Sequence, residues 1–197
     1  MKKLLNRRPL VKQLLAKRGD MLVVGGLGAP AWDITAAGDH PNSFPMWGAM
    51  GGAAMIGLGM ALAQPKRKVL VITGDGEMLM GLGALATIAV QKPANLYVVV
   101  LDNEHYGETG MQQTHTLHGV DLAGMARAAG FLHALNVNTQ AEADRMTQMI
   151  QSGAGPLFAQ VKIDPEKLPL VLPPREGSYI KNRMRISVLG PDAVHDE

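Results

Sequence analysis

Strand-length apolar runs recur along this chain, separated by stretches of helical character. Residues 68–73 (KVLVIT) and 96–101 (LYVVVL) are the strongest, and residues 21–26 (MLVVGG) form a shorter run ending in glycines. None alternates apolar with polar positions, so each predicts a strand buried on both faces, as in the middle of a parallel sheet. Residues 132–137 predict a weaker strand, and residues 157–163 (LFAQVKI) close the series. In the opening 19 residues, Leu10, Leu14, Val11 and Leu15 make one apolar stripe behind Pro9, which predicts an amphipathic surface helix with a solvated basic face. Residues 27–45 read as loop. Helices are expected over 48–63 and 78–91, the latter without a charge and so buried around most of its circumference. Asp121 caps a helix through Ala129, and Thr139 with Glu142 forms a capping box for a helix to Ser152. Strand and helix alternating on short links predict a doubly wound, mostly parallel α/β sheet with helices on both faces.

The texture changes after residue 164. Pro165, Pro169, Pro173 and Pro174 enforce an extended path, and a short basic segment with Arg175, Lys181, Arg183 and Arg185 follows. The organisation is therefore a domain over 1–164 and an arm with a basic tail over 165–197, which either covers the domain's own surface or docks on a partner subunit.

Composition narrows the chemistry. The 197 residues hold no Cys, which excludes thiolate catalysis, thiolate zinc sites and iron–sulfur ligation by this chain. A net charge of +2 is too balanced for a protein that holds nucleic acid on a basic face. Residues 44–63 carry no charge over a length that just spans a bilayer, yet Pro45 and five glycines interrupt the run and its flanks supply no interfacial anchors. It reads as a buried helix, and with no secretory hydrophobic region the protein is expected in the cytoplasm. Aromatics are only 4%, whereas 23 residues are Gly. Such a glycine excess in an α/β chain is a first pointer to phosphate chemistry.

The strand at 68–73 runs directly into Gly74-Asp75-Gly76. Ligands of open parallel sheets bind beyond the carboxyl ends of the strands, and glycines there let the backbone approach a phosphate at a helix N-terminus. A tight strand-to-helix turn uses the same residues, so the second half of the pattern matters. The next strong strand ends in Asp102-Asn103, 28 residues after Asp75. A carboxylate and an amide oxygen at adjacent strand ends are hard ligands suited to Mg²⁺, which completes its shell with phosphate oxygens and water.

The segment GDGEMLMGLGALATIAVQKPANLYVVVLDNEHYG resembles the signature of the thiamin diphosphate enzymes, GDG followed some 25 to 30 residues later by Asn. This resemblance implies that Asp75, Asn103 and the main-chain carbonyl of His105 bind Mg²⁺ on the diphosphate, with Gly74, Gly76, Glu77, Tyr106 and Gly107 beside the cofactor. FPMWGAMGGAAMIGLGMALA resembles the family segment that grips the aminopyrimidine, which implies a carbonyl contact from Gly48 and a bulky apolar wedge at Met50. YGETGMQQTHT is similar to the corresponding loop of sulfopyruvate and phosphonopyruvate decarboxylases, and PPREGSYIKNRMR to the tail of many such domains. Two positions depart from the pattern: Glu77 replaces a usually small residue and is expected to point outward, and Asp102 replaces the first Asn of the common pair.

The resembling motifs all belong to the diphosphate-binding domain. The resemblance therefore implies a split enzyme, whose partner subunit carries the pyrimidine domain and its activating Glu, acting as a hetero-oligomer on a small 2-oxo acid to release CO₂ and an aldehyde. The uncharged 78–91 helix either faces that partner or is buried in its own core. His105, His115 and Glu108 are the catalytic candidates, with His118 and Thr109 behind them and His133 structural; a loop His either titrates near neutrality, holds an anionic tail or is simply solvated. A carboligase like the acetolactate synthases, a non-catalytic regulatory subunit and a plain nucleotide-binding module are the alternatives.

Overall fold

The computed structural model describes residues 4–153 and 155–194. In chain order the main elements are α1 (Arg7–Leu15), β1 (Leu22–Gly25), α2 (Ala29–Ala36), β2 (Ser43–Pro45), α3 (Ala53–Ala63), β3 (Val69–Gly74), α4 (Asp75–Met80), α5 (Ala84–Gln91) and β4 (Leu96–Asp102). They continue with β5 (His105–Tyr106), β6 (Gln112–Gln113), α6 (Leu122–Ala129), β7 (His133–Val137), α7 (Gln140–Ser152), β8 (Leu157–Lys162) and α8 (Gly177–Leu189). Six strands form one parallel sheet in the order β2-β1-β3-β4-β8-β7, while β5 and β6 pair antiparallel in a small ribbon beyond β4.

The apolar strands sort their side chains by alternation even though nearly every position is apolar. Val69 and Val71 of β3, with Leu96, Val98 and Val100 of β4, face α3, α5 and α6. Leu70, Ile72, Tyr97, Val99 and Leu101 face α1, α2 and α7 on the other side. The predicted doubly wound α/β architecture is thus the observed one. Both predicted caps are present, Asp121 accepting from Gly124 N and Thr139 with Glu142 closing the capping box. Among the described residues no helix is long and apolar enough to cross a membrane.

Three expectations need correction, and the tail, expected either to cover the domain's own surface or to dock on a partner, lies on that surface. The loop expected over 27–45 contains α2 and the short edge strand β2, because Gly28 (φ +76°) and Pro30 start a helix that the local polarity pattern does not announce. Arg7 does not lie on a solvated basic face: it is buried and ion-paired with the buried Asp33 of α2, which Arg8 Nε also reaches at 2.9 Å. The helix expected over 78–91 is broken into α4 and α5 at residues 81–83. There the backbones of Gly81 and Gly51 touch, and a Cβ at Gly81 would run into the Gly51 carbonyl. Nor is it buried nearly all round, since Met80 and Val90 are 62% and 77% exposed. The basic segment after the proline-rich stretch folds as α8, capped by Glu176, with Ile180 and Met184 buried. Arg183 of α8 donates to Asp39 Oδ2 at 2.7 Å and to the Ser43 carbonyl at 3.1 Å, so this helix covers the β2 edge that would otherwise stand open.

The Gly51–Gly81 contact holds the 48–52 loop against the start of the broken helix. Gly81→Ala is expected to destabilise the chain by about 1–3 kcal/mol through overpacking against backbone that cannot move aside. Urea unfolding should show a lower midpoint with an unchanged slope.

Candidate functional site

The apolar runs of β3 and β4 end side by side, with Gly74 in register with Leu101. Asp75 and Asn103 therefore emerge at neighbouring strand ends, on the side where ligands bind in open parallel sheets. A cleft opens there. Its lining brings together Met50, Gly74, Asp75, Gly76, Glu77, Asn103, His105, Tyr106, Gly107, Glu108 and Thr109, joined by Leu27, Ala29 and Pro30 from the β1–α2 turn and by Arg7 and Ile163. A Cβ at Gly74 would meet only open space in this cleft, so its own packing does not demand glycine there; a close-approaching ligand would.

Asp75 is buried, and its Oδ2 accepts from the hydroxyls of Thr114 (2.5 Å) and Thr116 (3.1 Å). Thr116 Oγ1 also lies 2.7 Å from Asp102 Oδ1, so one hydroxyl bridges two buried carboxylates. Burial pushes the Asp75 pKa up from 3.8 to about 6; the Thr114 hydrogen bond opposes this and the charge of Asp102 adds to it. Asp102 is in turn held by Gln160 Nε2 at 2.6 Å and by Lys162 Nζ at 2.9 Å. The Asn-to-Asp departure at position 102 is therefore felt at Asp75 and is not confined to the neighbouring Asn103.

Glu77 does not point outward. It is buried, with Oε2 accepting from Thr73 Oγ1 (2.8 Å) and Leu27 N (2.9 Å) and Oε1 facing Ala53 N (3.4 Å). The physical reason is the supply of donors on that side. Ala53 opens α3, whose N-cap, Gly52, has no side chain to offer, so a carboxylate from α4 meets the positive end of that helix instead. The arrangement also requires glycine at position 26, where a Cβ would collide with the Glu77 carboxylate. Glu77 thus ties the Leu27 wall, the end of β3 and the segment after Met50 into one unit.

On the opposite side of the cleft, the turn after β4 is fixed by its own polar groups. Asn103 Oδ1 accepts from His105 N at 3.0 Å, and the His105 ring Nδ1 lies 2.8 Å from the Asn103 carbonyl. The Tyr106 ring covers Gly76 so closely that no Cβ would fit between them. Glu108 lies over Gly28, and burial raises its pKa while Arg7 pulls it back down. His115 and His118 are exposed and are not part of the lining, whereas Thr114 and Thr116 on either side of His115 turn inward to Asp75. Gly48 is exposed and outside the lining, and His133 lies on β7, away from the cleft.

Sequence reasoning missed Arg7, Thr114, Thr116 and Gln160. Only the threonines left a trace, as the small hydroxyl positions of the THT triplet. Among the described residues no three His, Cys, Asp or Glu side chains gather as a metal site. A cation in this cleft would depend on one carboxylate, an amide and main-chain carbonyls, a donor set that fits Mg²⁺ sharing a ligand's phosphate oxygens.

Residues 27–161 match the family described as thiamine pyrophosphate enzyme, C-terminal TPP binding domain. The chain belongs to the thiamin diphosphate enzymes. It is 40% identical over 162 residues to the sulfopyruvate decarboxylase subunit beta of Methanothermobacter thermautotrophicus, covering 82% of this chain and 84% of that one. It is 36% identical to the phosphonopyruvate decarboxylase of Streptomyces viridochromogenes, over 88% of this chain but only 44% of that protein. In fold, this thiamin diphosphate domain superposes on benzoylformate decarboxylase from Polynucleobacter necessarius with a TM-score of 0.67 at 20% identity, over 84% of this chain and 34% of that one.

Two outcomes follow for the chain without metal. A carboxyl whose folded pKa is raised stabilises the fold below its unfolded pKa and loses that contribution as pH rises through the folded value. Between pH 3.8 and about 6, the stability of wild type relative to Asp75→Asn should therefore fall, by about 2–3 kcal/mol in all. Urea titrations of both proteins across this range measure it, and a flat difference would rule out the perturbed carboxyl. Glu77→Ala strands three donors, two of them backbone, and is expected to cost about 2–4 kcal/mol in the same assay, with Glu77→Gln costing less.

Proposed function

We propose that this chain is the diphosphate-binding half of a thiamin diphosphate- and Mg²⁺-dependent 2-oxo acid decarboxylase of the sulfopyruvate and phosphonopyruvate type. The observation that carries the reading is the cleft that joins Asp75, Asn103 and the turn after β4 at the ends of two registered strands. The relatives named for sulfopyruvate and phosphonopyruvate decarboxylation support the substrate class, a 2-oxo acid bearing a second acidic group.

When bound, thiamin diphosphate supplies the electron sink that lets a 2-oxo acid lose CO₂. This chain's part is to bind and orient. Asp75, the Asn103 amide oxygen and the His105 carbonyl would hold Mg²⁺ on the diphosphate. The two threonine hydroxyls fix the rotamer of Asp75, and the His105 N–H fixes the Asn103 amide. Glu77 braces the wall that carries Leu27 and the loop that presents Met50, and Met50 supplies a polarizable apolar surface for a flat ring. His105 and Glu108 line the same space and are the groups placed to move a proton.

Relatives named as beta subunits imply a partner in those proteins. The same arrangement is proposed here, with a pyrimidine-domain chain contributing the activating Glu in a cytoplasmic hetero-oligomer.

Asp75→Ala should abolish Mg²⁺-dependent retention of thiamin diphosphate by the assembled enzyme, measured by gel filtration and cofactor fluorescence; unchanged retention would remove the metal assignment. The purified chain should lack decarboxylase activity toward sulfopyruvate and phosphonopyruvate and gain it with the pyrimidine-domain chain. Full turnover by this chain alone would overturn the split site.

A further inference from the structure

Arg7 is placed where no surface arginine belongs. The start of α1 carries it into the cleft wall, and it is only 6% exposed. Its Nη1 is engaged, paired with Asp33 Oδ2 and 3.5 Å from the Ala29 carbonyl. Asp33 is shared, because Arg8 Nε holds its other oxygen at 2.9 Å. Two guanidinium groups against one carboxylate leave one positive charge, which the Glu108 carboxyl of the same lining feels.

The other face of the Arg7 guanidinium has not been used. Nε and Nη2 have no hydrogen-bond partner among the described residues, yet neither is among the buried polar atoms sealed off without one. Arg7 lines the cleft, so these two donors are left for a ligand there. Among the described residues Arg7 is the only Lys or Arg in that lining, which otherwise carries the carboxyl groups of Asp75, Glu77 and Glu108. Leu27, Ala29 and Pro30 stand in the same wall, at the start of α2, where the first turn contains no acidic residue and the N-cap makes no side-chain bond. A guanidinium with two free donors in a fixed fork suits a tetrahedral or planar oxyanion better than any other side chain.

We propose that Arg7 is an oxyanion subsite of this cleft, taking a phosphoryl, sulfonyl or carboxylate group through Nε and Nη2. The Asp33 pair holds the guanidinium in the wall, and Arg8 shares Asp33 so that Arg7 keeps charge for a ligand. The proposal deepens the reading of the cleft given above and rests on it for what the anion is. Both the diphosphate of the cofactor and the second acid group of a sulfonated or phosphonated 2-oxo acid have the required chemistry.

The two sources separate in titrations of the full chain followed by arginine side-chain ¹H–¹⁵N spectra. One arm uses inorganic pyrophosphate with Mg²⁺, the other phosphonoacetate. The Arg7 Nε–H signal should move saturably in at least one arm. Movement with pyrophosphate alone assigns the subsite to the cofactor, movement with phosphonoacetate alone assigns it to the substrate's tail, and movement with both means that it accepts either. Arg7→Lys keeps a charge against Asp33 but loses the fork, and should weaken the responsive probe by about tenfold or more. Lys12→Met removes a cation from the exposed side of the same helix without touching Asp33 or the cleft, and should leave that affinity within about twofold, as expected of a group outside the site. An Arg7 signal unmoved by both probes overturns the proposal, as does an equal loss in Lys12→Met, which would make the effect one of overall charge only. The wild-type titration decides even where Arg7→Lys folds poorly. If Asp75→Ala leaves cofactor retention intact, the cofactor reading fails whatever Arg7 does; if retention depends on Asp75 while Arg7 is silent, only the subsite fails.

Discussion

The pairing of β3 with β4 is the constraint on which the cleft depends. Both strands are apolar along almost their whole length and are covered on both faces, so neither can slide without moving buried side chains to the wrong layer. Their register holds Gly74 beside Leu101, and the polar chemistry begins one or two residues later on each strand. Asp75 and Asn103 are neighbours for that reason, although 28 residues separate them along the chain.

Placing carboxylates at the edge of so apolar a sheet is costly, and the surrounding structure answers with donors. Asp102 takes a hydroxyl, an amide and an ammonium group, and Thr116 passes the network on to Asp75. Gln160 works in two directions. Its amide nitrogen donates to Asp102, while its oxygen accepts from the N–H groups of Leu122 and Ala123 at the start of α6. One uncharged side chain in the middle of β8 therefore connects the carboxylate cluster to the positive end of a helix.

The cleft consequently has two independently braced walls. Glu77 secures the side made of Leu27 and the segment after Met50, through contacts with three elements distant in sequence. The Asp102 network secures the other side, and Asp75 lies between them. Arg7 closes the mouth from α1, in an ion cluster that also reaches the proline-rich stretch, since Arg8 donates to the Pro169 carbonyl at 2.9 Å. The chain spans 44% of the phosphonopyruvate decarboxylase and 34% of the benzoylformate decarboxylase that it resembles.

The strands, the capped helices and the GDG-to-Asn spacing were legible because each is a local pattern: apolar runs, cap residues at fixed offsets, and a motif at the end of a run. The 48–63 helix was legible in kind, but its start at Ala53 depends on Ala49 and Gly51 adopting positive φ angles, which the apolar composition does not announce. The inward orientation of Glu77 was not legible, and Arg7 and Gln160 were not legible at all. A charged residue in a sequence is by default a surface residue, and it becomes interior only when donors or counter-charges from other elements converge on it. The sequence by itself thus determined the layers of the sheet and the strand ends at which the cleft opens. Only the tertiary structure decided which polar groups face inward, because their partners lie on elements that meet only after folding.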